Sequence, residues 1–274
     1  MGEKNRTKNL LGQDYEFEFP DFRTVPEIGS ISLLDSSNNS EYTKLMVQLQ
    51  KLQSEIIACT KCGRLVKWRE KVAREKVKRF SDDEYWGKPL PGFGDPAAEL
   101  LIVGLAPAAH GGNRTGRMFT GDRSGDWLFQ ALHTAGFANQ PTSTDRNDGL
   151  RLHNCYITAC CRCAPPQNKL RPEEIKNCRP FLEEEMRLLK NVRLIIGLGK
   201  IGFDAAARTY AQLAGMQSLK KIRFGHGVLY PLDEKVTLIG SFHPSQQNTF
   251  TGRLTRAMFH SIFRRARQHV KESS

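Results

Sequence analysis

Four of the seven cysteines in this 274-residue chain have the spacing of a thiolate centre. Cys59 and Cys62 form a C-x2-C. Cys163 and Cys178 follow about a hundred residues later, with fourteen residues between them. A tight pair plus a distant pair suits one four-coordinate site that ties an early segment to the middle of a fold. Thiolates hold either zinc or an iron–sulfur cluster in such a site. Zinc ribbons use two close pairs, whereas iron–sulfur proteins accept scattered ligands, so spacing leaves the metal open. It also leaves the third ligand open. Cys163 stands just before a Pro-Pro turn, whereas Cys155, Cys160 and Cys161 belong to a strand or its end and read as small buried hydrophobes.

Three unusual loops carry the other chemistry. The first, 106–123, holds Ala106, Pro107, His110, Asn113, Arg114, Arg117, Phe119, Gly121 and Asp122. Its Gly and Pro residues permit tight turns and close approach to a ligand. Phe119 offers a flat face for stacking, and Asp122 is either a working carboxylate or the N-cap of the next helix. The second, 160–171, reads C-C-R-C-A-P-P-Q-N-K-L-R. Asn168 can donate and accept at once, as the edge of a nucleobase requires, and is otherwise a turn former. The third, 241–252, begins S-F-H-P-S-Q-Q-N. His243 can donate to a leaving group that gains negative charge. Pro244 stiffens the loop, and Ser245 and Gln246 can touch phosphate or wedge beside a displaced base.

The elements between these loops set where they meet. Apolar spacing from Tyr42 to Ile57 predicts a helix leading into Cys59, and residues 63–80 a basic helix. Strands are predicted at Leu100–Leu105, Cys155–Ala159, Val192–Leu198 and Val236–Gly240, with a minor one at Val228–Tyr230. Helices are predicted at Ser124–Ala135, from Pro172 to Leu189, at Gly202–Ala214 and at Arg253–Val270, and Pro180 should kink or split the second of these. Alternating strands and helices mean an α/β fold with a mainly parallel sheet covered on both faces. Ligands then bind at the carboxyl ends of the strands, where all three loops emerge. Residues 1–40 are polar and aperiodic and read as a disordered extension, leaving 41–274 as a single domain.

The charge balance is +12, from 41 Lys plus Arg against 29 Asp plus Glu. Residues 61–90 hold ten Lys or Arg, and Arg253 to Lys271 holds six with no acid between them. A polyanion partner fits this, as does a merely solvated surface. No run approaches the ~18 apolar residues of a membrane helix. An odd number of cysteines in a long chain points to reduced thiols in cytosol.

Five pieces together resemble one family: A-C-T-K-C-G-R-L-V-x-W-R-E, Y-W-G-K-P-L-P-G-F-G-D-P, G-L-A-P-A-A-H-G-G-N-R-T-G-R-M-F-T-G-D, R-C-A-P-P-Q-N-K and H-P-S-Q-Q-N-T-F-T-G-R-L-T. The chain is similar to the type-b, or family 5, iron–sulfur uracil-DNA glycosylases over about four-fifths of its length, from Cys59 to the last helix. The resemblance implies a three-layer sandwich around a four-stranded parallel sheet. It also implies a [4Fe–4S] cluster on Cys59, Cys62, Cys163 and Cys178. The stretch G-L-A-P-A-A-H has Ala106 and Ala108 where many uracil-DNA glycosylases carry a carboxylate or amide, which marks the type-b branch. Asp122 then becomes the catalytic carboxylate, Asn168 the contact to the base or reacting centre, and His243 the stabiliser of the departing base. Phe119 stacks on that base, and His110, Ala106, Pro244 and Ser245 line its site. The implied substrate is DNA bearing uracil or other deaminated bases such as hypoxanthine and xanthine, handled by a cytoplasmic, nucleoid-associated monomer. Base flipping and an oxocarbenium-like sugar would carry the hydrolysis. A non-enzymatic nucleic-acid-binding protein with structural zinc is the alternative. A zinc deaminase is disfavoured, because no H-x-E partners a P-C-x-x-C.

Overall fold

The computed structural model describes residues 7–8, 14–15, 36–216 and 222–272. Residues 1–42 and 43–274 form separate compact units. In the first, β1 (Thr7–Lys8) pairs antiparallel with β2 (Asp14–Tyr15). The remaining positions of the expected disordered extension lie outside the described residues, up to the start of the next helix.

Helix α1 (Ser36–Ile57) starts earlier than expected, and α2 (Gly63–Glu75) is shorter, giving way to a single 3-10 turn at Lys78–Phe80. The rest alternates in chain order: β3 (Phe93–Gly94), β4 (Leu100–Gly104), α3 (Gly112–Thr115), α4 (Arg123–Thr134), β5 (Cys155–Ala159), α5 (Pro172–Leu188), β6 (Leu194–Leu198), α6 (Gly199–Leu213), β7 (Leu229–Pro231), β8 (Thr237–Ser241), α7 (Gln246–Phe250) and α8 (Arg256–Glu272). The sheet has the order β3-β5-β4-β6-β8-β7. Its four central strands are parallel, as expected. Two antiparallel edge strands extend it to six, β3 beside β5 and β7 beside β8. At two and three residues these edges are too short to show a periodic pattern, although β7 overlaps the predicted minor strand.

Every residue of β4, β5 and β6 is buried, which is why they read as unbroken apolar runs. One face of the sheet packs on α4 and α8 through Leu128, Leu132, Phe259 and Phe263. The other meets α5 and α6 through Leu182, Phe203 and Ala206. Each fully buried Phe or Leu contributes about 2–3 kcal/mol. A third apolar group joins α1 and α2 to α5 and the second loop, through Leu52, Ile56, Leu65 and Phe181.

Contrary to expectation, α5 runs unbroken through Pro180. Pro180 lies on the exposed side, where water can satisfy the carbonyl it frees, while Cys178, Phe181, Leu182 and Glu185 fix the buried side. Glu185 forms a buried ion pair with Arg162 at 2.5 Å, both side chains 1 % exposed. The same carboxylate accepts from Thr158 at 2.6 Å and, through its other oxygen, from the Gly92 backbone N–H at 3.2 Å. This polar knot fastens the end of β5 to α5 and to the segment before β3. Among the described residues no helix is long and apolar enough to cross a membrane.

Candidate active site

Register brings the loops together. Gly104 stands opposite Ala159, and Leu198 opposite Ser241, so β4, β5, β6 and β8 end along one edge.

The first loop is held by its own polar residues. Arg114 donates from Nε to the His110 carbonyl at 2.9 Å and from Nη2 to the Gly121 carbonyl at 3.2 Å, and pairs with Asp83 at 2.6 Å. Arg117 is buried in an ion pair with Asp148 at 2.8 Å. Asn113 is fully buried and donates to the Arg69 carbonyl at 3.2 Å. Much of the polarity that marks this loop in the sequence therefore builds its shape.

Phe119 meets the third loop, and Asp122 follows Phe119 at the start of α4. Phe119 has φ +55°, and its ring rests over Gly104, where a Cβ would stand 2.8 Å from Cζ. The Phe119 and His243 ring centroids are 5.9 Å apart with a 30° tilt. Asp122 caps α4, its Oδ1 accepting from the Gly125 N–H at 2.9 Å. Its Oδ2 lies against Gly111, where a Cβ would come within 2.2 Å, so only glycine admits the carboxylate there. One oxygen is thus committed to the helix and the other is set against the loop. Burial raises the carboxyl above the ordinary aspartate range, opposed by the Gly125 and Ser124 N–H groups.

The third loop follows β8. His243 is pushed down to about 4 by burial alone, so its imidazole is neutral near pH 7. Its carbonyl accepts from Asn248 Nδ2 at 2.8 Å, and Ser245 caps α7. Ser124, two residues past Asp122, donates to the Pro244 carbonyl at 3.1 Å and so joins the first loop to the third. Phe250, at the end of α7, is 69 % exposed beneath the Arg123 guanidinium.

Of the residues singled out by sequence, Phe119, Asp122, His243 and Pro244 meet within two linked loops. His110 is held by Tyr85, with Nδ1 3.1 Å from the Tyr85 hydroxyl. Ala106 is half-buried and packs against the cysteine-rich apolar group. Asn168 is exposed on the turn Pro166–Asn168, and its side chain makes no hydrogen bond to a described residue. Gln167 and Asn168 both have positive φ, +55° and +56°, which a Pro-Pro-led turn with Asn tolerates.

All seven cysteines are free thiols. Cys59, Cys62, Cys163 and Cys178 line a common pocket with Cys161 and Phe181. Among the described residues, no three Cys, His, Asp or Glu side chains converge to hold a single metal ion. Three of the four sulfurs receive N–H donors: Cys163 from Arg69 Nη1 at 3.0 Å, Cys178 from the Arg162 backbone at 3.3 Å, and Cys62 from Asn177 Nδ2 at 3.6 Å. Such donors favour thiolates. Arg69 is 4 % exposed, and its nearest carboxylate, Glu70, is 4.0 Å away, so sulfur is its closest partner for charge. Burial pushes the Cys163 thiol up to about 12 against the pull of Arg69, as expected of a thiol that deprotonates only with a cation beside it. The pocket thus fits a thiolate-bound metal group.

Arg69 carries a signal in the sequence that motif and spacing pass over. It stands at the apolar-face positions of α2 with Leu65 and Val72, where a charge needs a buried partner. The Ser124–Pro244 and Tyr85–His110 contacts leave no comparable trace.

Residues 91–267 match the family model described as the uracil DNA glycosylase superfamily. A Mycobacterium leprae protein named type-5 uracil-DNA glycosylase is 52 % identical over 221 residues, which cover 80 % of this chain and 95 % of its own. A Mycobacterium tuberculosis protein of the same name is also 52 % identical, over 219 residues that cover 80 % of each chain. The type-5 uracil-DNA glycosylase of Thermus thermophilus is 46 % identical over 78 % of this chain and 94 % of its own.

Proposed function

The chain belongs to the uracil DNA glycosylase superfamily, and from that membership we propose that it hydrolyses the N-glycosidic bond of uracil in DNA. The observation that carries the reading is the Phe119–His243 ring pair on two loops joined by the Ser124–Pro244 hydrogen bond, two residues from Asp122, at the carboxyl edge of a parallel sheet.

The glycosidic bond of a stacked base is out of reach, so the nucleotide is extruded at a cost of a few kcal/mol. The extruded base stacks on Phe119. The present ring separation of 5.9 Å is less than the about 7 Å that two van der Waals contacts need. His243 therefore meets the edge of the base and does not cover its second face. Negative charge collects on the base oxygen as the bond breaks, and the neutral His243 N–H donates to it. Positive charge collects on the sugar. Asp122 answers that charge or orients the attacking water, through the oxygen that does not cap α4. The exposed Asn168 amide reads the edge of the base, and Ser245 contacts the adjacent phosphate. Deaminated purines, hypoxanthine and xanthine, enter the same pocket. Basic residues of α2 and α8 grip the backbone.

Cys59, Cys62, Cys163 and Cys178 hold a [4Fe–4S] cluster. When bound, the group supplies a covalent clamp and no electrons, since hydrolysis moves none. The N–H donors from Arg69, Asn177 and Arg162 support this assignment, as does the sharing of one pocket. The protein acts as a cytoplasmic monomer on DNA.

Single-turnover release of base from duplexes carrying uracil, hypoxanthine, xanthine or thymine tests the reading. Release of uracil, lost in both Asp122→Asn and His243→Ala while DNA binding persists, is the expected result. Release that survives both substitutions refutes the assigned roles.

A further inference from the structure

We infer that a pocket between α5 and α6 binds a small organic carboxylate with an apolar body. It lies on the opposite helical layer from α4 and α8 and belongs neither to the ring pair nor to the four-thiol site. Its volume is about 160 Å³, comparable to a cavity of about 150 Å³ that takes up benzene. Ile175 and Leu182 of α5 and Ile201 and Ala205 of α6 make the walls apolar. Ile201 is 42 % exposed at the lip, an unusual position for a large aliphatic side chain.

Two polar features specify the ligand. Thr209 also lines the pocket. It is 1 % exposed, and its hydroxyl has no hydrogen-bond partner. A helical threonine commonly bonds back to the carbonyl one turn earlier, and a buried hydroxyl with no partner is destabilising. A ligand atom in the pocket supplies the missing partner. Arg179 and Arg208 stand at the rim, and neither forms an ion pair with a described residue. The one carboxylate there, Asp204, is already paired with Lys200 Nζ at 2.5 Å. The pocket mouth therefore carries two uncompensated guanidinium groups, whose planar donors match a carboxylate. An apolar body of benzene size, a hydrogen-bonding group and a carboxylate together satisfy everything the pocket presents. At its floor, Cys160 donates to the Leu105 carbonyl at 3.0 Å, which puts the occupant directly behind the start of the first loop.

The test uses the full chain with labelled Ile and Ala methyl groups. It is titrated with phenylacetate and, separately, with benzyl alcohol, which has the same ring without the charge. Phenylacetate should shift the Ile175, Ile201 and Ala205 methyl resonances saturably, in the millimolar range or below. Benzyl alcohol should bind about tenfold more weakly, the difference a charged hydrogen bond makes. The pair R179Q and R208Q should bring phenylacetate down to the level of the alcohol. T209V keeps the side-chain shape and removes the hydroxyl, so it should weaken binding of 4-hydroxyphenylacetate, whose phenol supplies the partner that phenylacetate lacks, without lowering the thermal midpoint. Absence of a saturable shift overturns the site. So does equal affinity for acid and alcohol, or unchanged affinity for phenylacetate in the paired arginine variant or for 4-hydroxyphenylacetate in T209V. None of these outcomes depends on whether the chain releases uracil.

Discussion

His243 offers the sharpest quantitative test, because burial alone lowers its pKa from 6.5 to about 4. A shift of one unit is worth about 1.4 kcal/mol, so for a half-buried ring this one amounts to at most roughly 3 kcal/mol. The unfolded chain takes up a proton on His243 as the pH falls through 6.5, and the native state takes it up only near 4. The native protein therefore loses stability across that window, at up to about 1.4 kcal/mol per pH unit, and the contribution is fully present above roughly pH 6.5. Replacing His243 by Gln removes the titrating group. Urea unfolding of both proteins between about pH 7 and pH 4 should show the stability of the native protein relative to the variant falling by up to about 3 kcal/mol as the pH falls, whatever that difference is at pH 7. His110, His226 and His260 also have lowered pKa values, but they titrate alike in both proteins and cancel. Parallel curves, or an imidazole resonance of His243 titrating near the ordinary histidine value, would refute the reasoning. They would also remove the basis for a neutral imidazole donor to the departing base.

Asp122→Asn should keep the α4 cap, since Asn caps as well as Asp, and change stability by no more than about 0.5 kcal/mol while base release falls by about 10² or more. Asp122→Ala should lose a further ~1 kcal/mol in urea unfolding. Because burial raises the Asp122 carboxyl, the acid limb of the rate profile should lie above the 3.8 of an ordinary aspartate. Asn168→Gly should be neutral or stabilising, as glycine accepts φ +56° without strain, yet should lose discrimination among bases in the release assay. Cys178→Ala should give colourless protein without bound iron, and Cys161→Ala should stay brown; iron analysis and visible absorption decide which thiols ligate. Glu185→Ala should cost about 3–5 kcal/mol by leaving Arg162 charged and buried.

The parallel core of the fold is readable because β4, β5 and β6 are buried on both faces and leave apolar runs in the sequence. The edge strands are not, since pairing over two or three residues needs no pattern. Pro180 misleads for a related reason: local backbone chemistry predicts a break, and tertiary packing of Cys178, Phe181 and Leu182 overrides it. Within the site, the loops emerging from the carboxyl ends of parallel strands foretell that Asp122 and His243 share an edge. Nothing local foretells that the Asn168 side chain is exposed on its turn, or that Arg114 and Arg117 spend their charge on Asp83 and Asp148. Those pairings join positions 31 residues apart in the chain, which one sequence cannot match up.

Arg69 brings the two chemical centres into one mechanical unit. Its guanidinium donates to Cys163 Sγ at 3.0 Å and to the Cys59 carbonyl at 3.4 Å, bridging the two halves of the thiol site. Its own carbonyl receives Asn113 from the loop that ends in Asp122. The Arg162 N–H meets Cys178 while its side chain enters the Glu185 knot, so the same site is also tied to the end of β5. A buried guanidinium facing neutral thiols is costly, and one facing thiolates is not. Charge on the sulfurs, as a bound metal group would impose it, would therefore hold Arg69, and with it Asn113, in position. A metal group held by these thiols would need no electron to matter to hydrolysis: by keeping them ionised, it would fix the backbone on which the first loop is built.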